Sequence, residues 1–178
     1  MKRNNVSLED LEKTLAAFRA DPGKARKTNR VEGVWNLEAG QPQFSAQVTF
    51  EGGGMTLEAD QPTGQGGGGT RPGPMLYCLY GLASCYTATF ATMAAMMGVD
   101  LRRLEVMAES DVNFAPVFGL SEEPIIEGVR ITLSVESEAP QEKIAEIEAL
   151  AAQRCPGVFC MANAIPFETR LEYEGEFD

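Results

Sequence analysis

The sequence of 178 residues contains no histidine. This absence excludes Cys–His and Ser–His–Asp catalysis, as well as any metal site that relies on imidazole ligands. Basic residues are also few: 15 Lys and Arg stand against 26 Asp and Glu, which gives a formal net charge of −11. With no basic cluster to neutralise a run of phosphates, the chain is not expected to bind nucleic acid, and its charge disfavours an anionic membrane surface. Any reaction chemistry must therefore come from Cys, Asp/Glu, Lys/Arg, Tyr or Ser/Thr.

The beginning of the chain lacks the apolar run of an export signal. The basic letters MKRNN are followed by VSLEDLEKTL, which is polar and helical in character. We therefore expect a cytoplasmic protein, in a compartment where thiols are kept reduced and a disulfide is more often catalytic than structural. The length suits one domain over residues 1–178, with an N-terminal helical extension over 1–24 and a Gly/Pro-rich loop over 64–74.

Charge is missing from a long stretch in the middle of the chain, between Arg71 and Asp100. The stretch is long enough to cross a membrane, but its Tyr, Ser and Thr side chains would find no polar partners in lipid. We therefore predict a helix in the core of a soluble protein, stopped at Gly98. Thr70 is expected to cap it, with Pro72 or Pro74 in its first turn. The Gly-rich letters before it lack the Lys-Ser/Thr of a phosphate-binding loop and are expected to form a flexible surface connection.

The remaining periodic segments predict a mixed α+β fold. A helix begins at the cap Ser7, the letters APQEKIAEIEALAAQ predict a second amphipathic helix, and strand runs occur without regular βαβ alternation. Residues at period two predict the inward faces of two strands: Phe44, Ala46, Val48 and Phe50 in the first, and Val129, Ile131, Leu133 and Val135 in the second. The letters LRRLEVMAESDV are expected to begin as a turn and become a strand, and FETRLEY is expected to close the chain as a last strand.

Four cysteines occur, at positions 78, 85, 155 and 160. Their C-x₆-C and C-x₄-C gaps do not resemble the close pairs of a Cys₄ zinc site, so no metal is predicted. Cys78 lies near the start of the charge-free helix, where the dipole lowers a thiol pKa, and Cys85 lies two turns further along nearly the same face. Cys155 follows the amphipathic helix. From the residues alone, a two-cysteine redox site and four structural thiols remain equal alternatives.

Two segments resemble a known family. The letters PMLYCLYGLASCYTATFATMAAMMGVDLRRLEV, and the Cys-Pro within AAQRCPGVFCMANAI, are similar to the OsmC/Ohr proteins, the osmotically inducible and organic hydroperoxide resistance proteins. The resemblance covers nearly the whole chain. It implies an α+β OsmC-like fold in which antiparallel sheets pack on long central helices of an intertwined homodimer, with the sites at the subunit interface.

The resemblance also implies a function and the residues that perform it. Cys85 corresponds to the peroxidatic thiol and Cys155 to the resolving thiol of an antioxidant peroxidase, which reduces organic hydroperoxides in the oxidative stress response. The expected partners are a hydroperoxide and an external dithiol reductant, with no bound cofactor. Met75, Cys78 and Phe90 are expected to line the binding pocket. Arg71 is the nearest cation in sequence and the candidate partner of the thiolate.

One departure from the family pattern supports an alternative. The family's activating Glu position falls on Met75, and the hairpin WNLEAGQPQF carries no Arg. A buried thiol without a cation has a raised pKa and is a poor nucleophile. The alternative is therefore a catalytically degenerate OsmC-fold dimer that binds a small apolar ligand. The sequence does not identify the oxidant or the reductant, and it assigns no role to Cys78 or Cys160.

Overall fold

The charge-free stretch forms one helix, α2 (Pro74–Met96), in the computed structural model, which describes residues 1–173. Gly73 occupies the cap position and Pro74 lies in the first turn. The prediction that Thr70 caps this helix is therefore wrong. The helix ends before Gly98, whose φ of +77° is a conformation that glycine adopts without strain. Within the described residues, no helix is both long and apolar enough to cross a membrane.

The strands form three antiparallel sheets, as the mixed α+β prediction requires. A short hairpin pairs β1 (Lys2–Arg3) with β2 (Val6–Ser7). The second sheet has the order β3–β4–β5, and the third pairs β6 with β7. Their bounds are Glu32–Trp35 for β3, Phe44–Phe50 for β4, Gly53–Ala59 for β5, Leu101–Val112 for β6 and Ile126–Ser137 for β7. All of the letters LRRLEVMAESDV lie in β6, so the turn expected at their start is absent.

Three further helices complete the described chain. α1 (Leu8–Ala20) begins as predicted at Ser7, whose hydroxyl accepts the Asp10 backbone N–H at 3.4 Å. α3 (Gln141–Arg154) is the predicted amphipathic helix, and Ile147 and Ala151 on its inner face are completely buried. α4 (Pro156–Ala162) was not predicted. A Cys-Pro step indicated the end of α3, but proline is also well placed in the first turn of a new helix.

Two predictions about strands are wrong. The letters FETRLEY alternate like a strand, yet residues 163–173 have no regular structure and are exposed. Alternation only marks residues suited to a sheet, and no strand of the described chain pairs with this segment. In β4, Ala46 is buried, but Phe44 is 36% and Phe50 56% exposed, so the predicted inward face is only partly covered.

The Gly-rich segment lies at the surface, as predicted, and is hydrogen-bonded to a buried carboxylate. Asp60 is 2% exposed. It accepts the Gly68 backbone N–H at 3.2 Å, and both the backbone N–H and the hydroxyl of Thr70 at 2.9 Å. The Thr70 backbone N–H is the main reason why the pKa of Asp60 is lowered, although burial acts in the opposite direction. Thr70 therefore anchors the loop to the end of β5 instead of capping α2.

The hydrophobic core lies where α2, α3 and the β6–β7 sheet meet. Phe90 and Ala94 of α2 are fully buried against Ile147 and Ala151 of α3. From β7, Ile131, Leu133 and Val135 pack on this cluster as predicted, whereas Val129 of the same predicted face is 38% exposed. Much apolar surface remains outside: the chain exposes 13586 Å², whereas a compact monomer of its mass would expose about 8500 Å².

Candidate active site

Two of the four cysteines meet at the edge of this core. Cys85 lies in the middle of α2, and Cys155 links the end of α3 to the start of α4. Their sulfur atoms are 3.5 Å apart, and both residues are free thiols. A disulfide needs about 2.05 Å between sulfurs, so a shift of about 1.5 Å would close the bond. The packing of α3 on α2 thus joins two thiols that are 70 positions apart in sequence.

The first turn of α4 lies directly on Cys85. A Cβ placed on Gly157 would be 3.2 Å from the Cys85 Cβ and 3.5 Å from its sulfur. Both distances are at or below ordinary van der Waals contact, so a larger residue would push α4 away from α2 by a few tenths of an ångström. This close approach lets the Gly157 backbone N–H act on the Cys85 thiolate.

Burial is the main reason why the pKa of the Cys85 thiol is raised. The Gly157 backbone N–H acts in the opposite direction, because it stabilises the thiolate. The neighbouring Cys155 raises the pKa further, first through the hydrogen bond between the two thiols and then because a negative charge on either sulfur disfavours one on the other. No Lys or Arg makes a hydrogen bond or ion pair with Cys85 among residues 1–173, so the amide is the main local group that favours its ionisation.

The two thiols differ in access to solvent. Cys155 is 1% exposed, whereas Cys85 is half-buried. The Cys155 sulfur also accepts the Val158 backbone N–H at 3.5 Å and so caps α4. A molecule arriving from solvent would therefore reach Cys85 first, with Cys155 behind it.

A buried tyrosine holds the two helices of the site together. Tyr86 follows Cys85 on α2 and is 5% exposed, and its hydroxyl donates a hydrogen bond of 2.8 Å to Glu148 Oε1 on α3. Burial, followed by the Glu148 hydrogen bond, raises the pKa of Tyr86. Sequence reasoning did not single out this pair. One signal was available, because Glu148 precedes Cys155 by seven positions and therefore shares its face of α3.

A known protein family matches more than half of the chain. The family profile described as "OsmC-like protein" matches residues 66–170. The chain belongs to the OsmC-like family. No curated protein sequence matches it.

Solved OsmC-like structures share its fold. An OsmC-like protein from Mycoplasma pneumoniae superposes with a TM-score of 0.58 at 20% identity, covering 76% of this chain and 88% of that one. An organic hydroperoxide resistance protein OsmC from Legionella pneumophila superposes with a TM-score of 0.54 at 15% identity, covering 76% of this chain and 91% of that one. An organic hydroperoxide resistance protein from Elizabethkingia anophelis superposes with a TM-score of 0.52 at 15% identity, covering 76% of this chain and 90% of that one. At these identities the likeness establishes the fold alone.

The other predicted site residues of this OsmC-like chain lie in two places. Phe90 belongs to the same core cluster as Cys155, one turn beyond Cys85. Met75 and Cys78 lie in the first turns of α2, about 10 Å or more of helix away from Cys85. Met75 borders a groove of about 480 Å³ together with Leu76, Phe114 and Phe118, and Cys78 is exposed.

Arg71 precedes α2, with about 16 Å of helix between Pro74 and Cys85. Its Nε donates to Glu58 Oε2 at 2.6 Å, and its Nη1 donates to the Thr70 carbonyl at 2.9 Å. Within its own chain, Arg71 is therefore engaged at the far end of the helix.

A second, mainly apolar groove is bordered by residues that flank the two cysteines in sequence, although neither cysteine borders it. It measures about 520 Å³ and is bordered by Leu82 and Tyr86 of α2, Ile131 of β7, and Val158 and Met161 of α4. No group of three or more Cys, Asp or Glu side chains in the described part of the chain is arranged to hold a metal ion. The chemistry that the site offers is that of two thiols next to an apolar surface.

Proposed function

We propose that this OsmC-like protein reduces organic hydroperoxides through Cys85 and Cys155. The observation that carries the proposal is the 3.5 Å separation of the two sulfurs, one half-buried and the other buried behind it. Solved proteins of the same fold include organic hydroperoxide resistance proteins. The groove bordered by Leu82, Tyr86 and Val158 is mainly apolar and suits the alkyl or aryl group of an organic hydroperoxide.

The reaction has two steps that use this geometry. The Cys85 thiolate attacks the distal oxygen of the hydroperoxide, so that an S–O bond forms, the O–O bond breaks and an alcohol leaves with a proton. Cys155 then attacks the Cys85 sulfur, so that an S–S bond forms and the S–O bond breaks with release of water. An external dithiol reduces the disulfide and returns both thiols. We place this cycle in the cytoplasm, where reduced dithiols are available.

The decisive assay is consumption of cumene hydroperoxide by the protein with dithiothreitol as reductant. Wild type should turn over, whereas Cys85→Ser should fall to the uncatalysed background. Ser84→Ala is a matched control, because Ser84 is the exposed neighbour on α2 and its hydroxyl bonds only to the Gly81 carbonyl among the described contacts. Turnover by Cys85→Ser equal to that of wild type would refute the assignment.

We further propose that the working form is a homodimer. The excess of exposed surface over a compact monomer, about 5000 Å² per chain, is more than enough for the share that each partner buries in an obligate dimer, about 1000–2500 Å². Large apolar side chains contribute to it, including Leu76 and Tyr80 of α2, 58% and 72% exposed, and Trp35 of β3, 55% exposed. Sedimentation equilibrium should give twice the chain mass of 19.3 kDa. A monomer at micromolar concentration would contradict the proposal.

A second candidate function is binding of a small apolar ligand without catalysis. It is favoured by the raised pKa of Cys85, by the engagement of Arg71 with Glu58, and by the groove beside Met75. The neutral probe N-phenyl-1-naphthylamine should then gain fluorescence on binding, and Met75→Glu should abolish the gain. Ligand binding together with peroxide consumption at background level would select this function over the first.

A further inference from the structure

We propose that Cys160 is a third redox thiol, which takes over the disulfide from Cys155 and presents it to the external dithiol. The inference rests on the proposed roles of Cys85 and Cys155. It concerns the return half of the cycle, in which the oxidised site must be reached by a reductant.

The geometry places Cys160 within reach of Cys85. Gly157 touches Cys85, with its Cβ position 3.5 Å from the sulfur. Cys160 follows Gly157 by three positions in α4, so their Cβ positions are about 5–6 Å apart. The Cys160 Cβ therefore lies within about 9 Å of the Cys85 sulfur. The electrostatics agree, because a negative charge on Cys160 contributes to the raised pKa of Cys85.

The difference in solvent access among the three thiols explains why a third thiol would be needed. Once Cys85 and Cys155 are joined, one sulfur of the disulfide belongs to a residue that is 1% exposed and the other to a half-buried residue. Thiol–disulfide exchange requires an attacking sulfur to reach one of the two, which is difficult for a bulky protein dithiol. Cys160 is exposed in the described chain. A disulfide that includes Cys160 would offer the reductant an accessible sulfur.

Oxidation of the pair also loosens the helix that carries Cys160. The Cys155 sulfur is the side-chain cap of α4 through the Val158 N–H. α4 has seven residues, none of them buried, and so short a helix depends on its cap and its contact with α2. When the Cys155 sulfur turns toward Cys85 to form the disulfide, this cap is weakened. Loss of this N-terminal cap frees the first turn of α4, so that the helix shifts on α2 and brings Cys160 to the Cys85 sulfur.

The exchange step is balanced in atoms and electrons. The Cys160 thiolate attacks the Cys85 sulfur, an S–S bond forms between them, and the Cys85–Cys155 bond breaks with Cys155 leaving as a thiolate that takes up a proton. An external dithiol then attacks the exposed Cys160 sulfur. The dithiol leaves as a cyclic disulfide, and Cys85 and Cys160 return as thiols.

Peptide mapping of trapped disulfides tests the proposal. Protein is oxidised with one equivalent of cumene hydroperoxide, quenched with acid at intervals and digested without reduction. A Cys85–Cys155 peptide should appear first and a Cys85–Cys160 peptide later. In a parallel arm, diamide oxidises the thiols without peroxide. The relay is thereby examined even if the protein does not react with hydroperoxide.

The kinetic arm compares reduction of the oxidised protein by reduced thioredoxin and by dithiothreitol. Cys160→Ser should form the Cys85–Cys155 disulfide normally but be reduced by thioredoxin about 10-fold more slowly, with little change for the small dithiothreitol. Ala162→Ser, an exposed position on the same helix, is the matched control and should behave as wild type.

The outcomes separate the two proposals. Formation of Cys85–Cys155 by peroxide, with Cys160→Ser reduced by thioredoxin as fast as wild type, overturns the relay and leaves the proposed function intact. Formation of that disulfide by diamide but not by peroxide overturns the proposed function, and the relay is then decided by the diamide arm alone. Absence of any Cys85–Cys160 peptide in both arms overturns the relay.

Discussion

The Gly157→Ala substitution examines the contact between α4 and Cys85 most directly. The added Cβ would lie 3.2 Å from the Cys85 Cβ and 3.4 Å from Leu82 Cδ1. Carbon atoms prefer about 3.5–4.0 Å, so α4 must move away from α2 by a few tenths of an ångström or more. The Gly157 N–H then moves away from the Cys85 sulfur, and the thiolate loses part of its stabilisation.

The size of the effect follows from how strongly the amide favours the thiolate. A full hydrogen bond to a charged group is worth about 1.5–3 kcal/mol, and we expect the displaced amide to lose about 1 kcal/mol of its interaction. The pKa of Cys85 should therefore rise, and the thiolate fraction near neutral pH should fall about 5-fold. Alanine also favours the helix by about 0.5–1 kcal/mol over glycine, which offsets much of the steric cost. Reactivity should therefore change while the free energy of unfolding stays within about 1 kcal/mol of wild type.

The assay is the rate of Cys85 alkylation by iodoacetamide between pH 6 and pH 10, read on the Cys85 peptide by mass spectrometry. Gly64→Ala is the matched control, because a Cβ at Gly64 meets nothing within 4 Å. Its alkylation profile should match that of wild type. An unchanged or faster rate at neutral pH in Gly157→Ala, with the fold intact, would refute the role assigned to the amide.

Three further predictions concern the same site. Cys155→Ser should still react once with cumene hydroperoxide but should accumulate a Cys85 sulfenic acid, which dimedone labels. Wild type should be labelled only weakly, because Cys155 consumes the sulfenic acid. Equal labelling of the two proteins would contradict the resolving role of Cys155. Tyr86→Phe should lower the free energy of unfolding in urea by about 0.5–1.5 kcal/mol, because the hydrogen bond to Glu148 is lost. Glu148→Gln retains an acceptor and should lower the free energy of unfolding less. Equal losses in the two variants would argue against the hydrogen bond. Because the folded pKa values of Cys85 and Tyr86 are raised, the unfolded chain ionises first, so stability should be constant below about pH 8.5 and fall as the pH rises above it. Thermal melts from pH 7 to pH 10.5 measure this, and a flat profile would contradict both shifts.

Elements with strong local signals were predicted correctly from the sequence. The cap Ser7, the stop at Gly98 and three of the four inward residues of β7 each depend on a few neighbouring residues. Elements whose structure depends on partners distant in sequence were not predicted correctly. The alternating letters FETRLEY remain without a paired strand, and Thr70 bonds to Asp60 from the end of β5 instead of capping α2. α4 was missed because a proline that ends one helix also starts the next.

The candidate site shows the same division. The contexts of Cys85 and Cys155 carried the family resemblance, and the family itself is established by the match over residues 66–170. The position of Gly157 on Cys85 and the link between Tyr86 and Glu148 had no strong sequence signal. Both arise from how α3 and α4 lie against α2, which is a property of packing across long sequence separations.

Composition by itself determined which chemistry is available: without histidine, a thiol is the strongest nucleophile that this chain can offer. The pattern of uncharged residues likewise determined that one long helix would lie in the core. Only the tertiary structure decided which two of the four sulfurs meet, that a glycine amide faces one of them, and that the other caps a helix. The physical reason is that these contacts join residues up to 70 positions apart, and such distances are set by helix packing and not by any local preference of the chain.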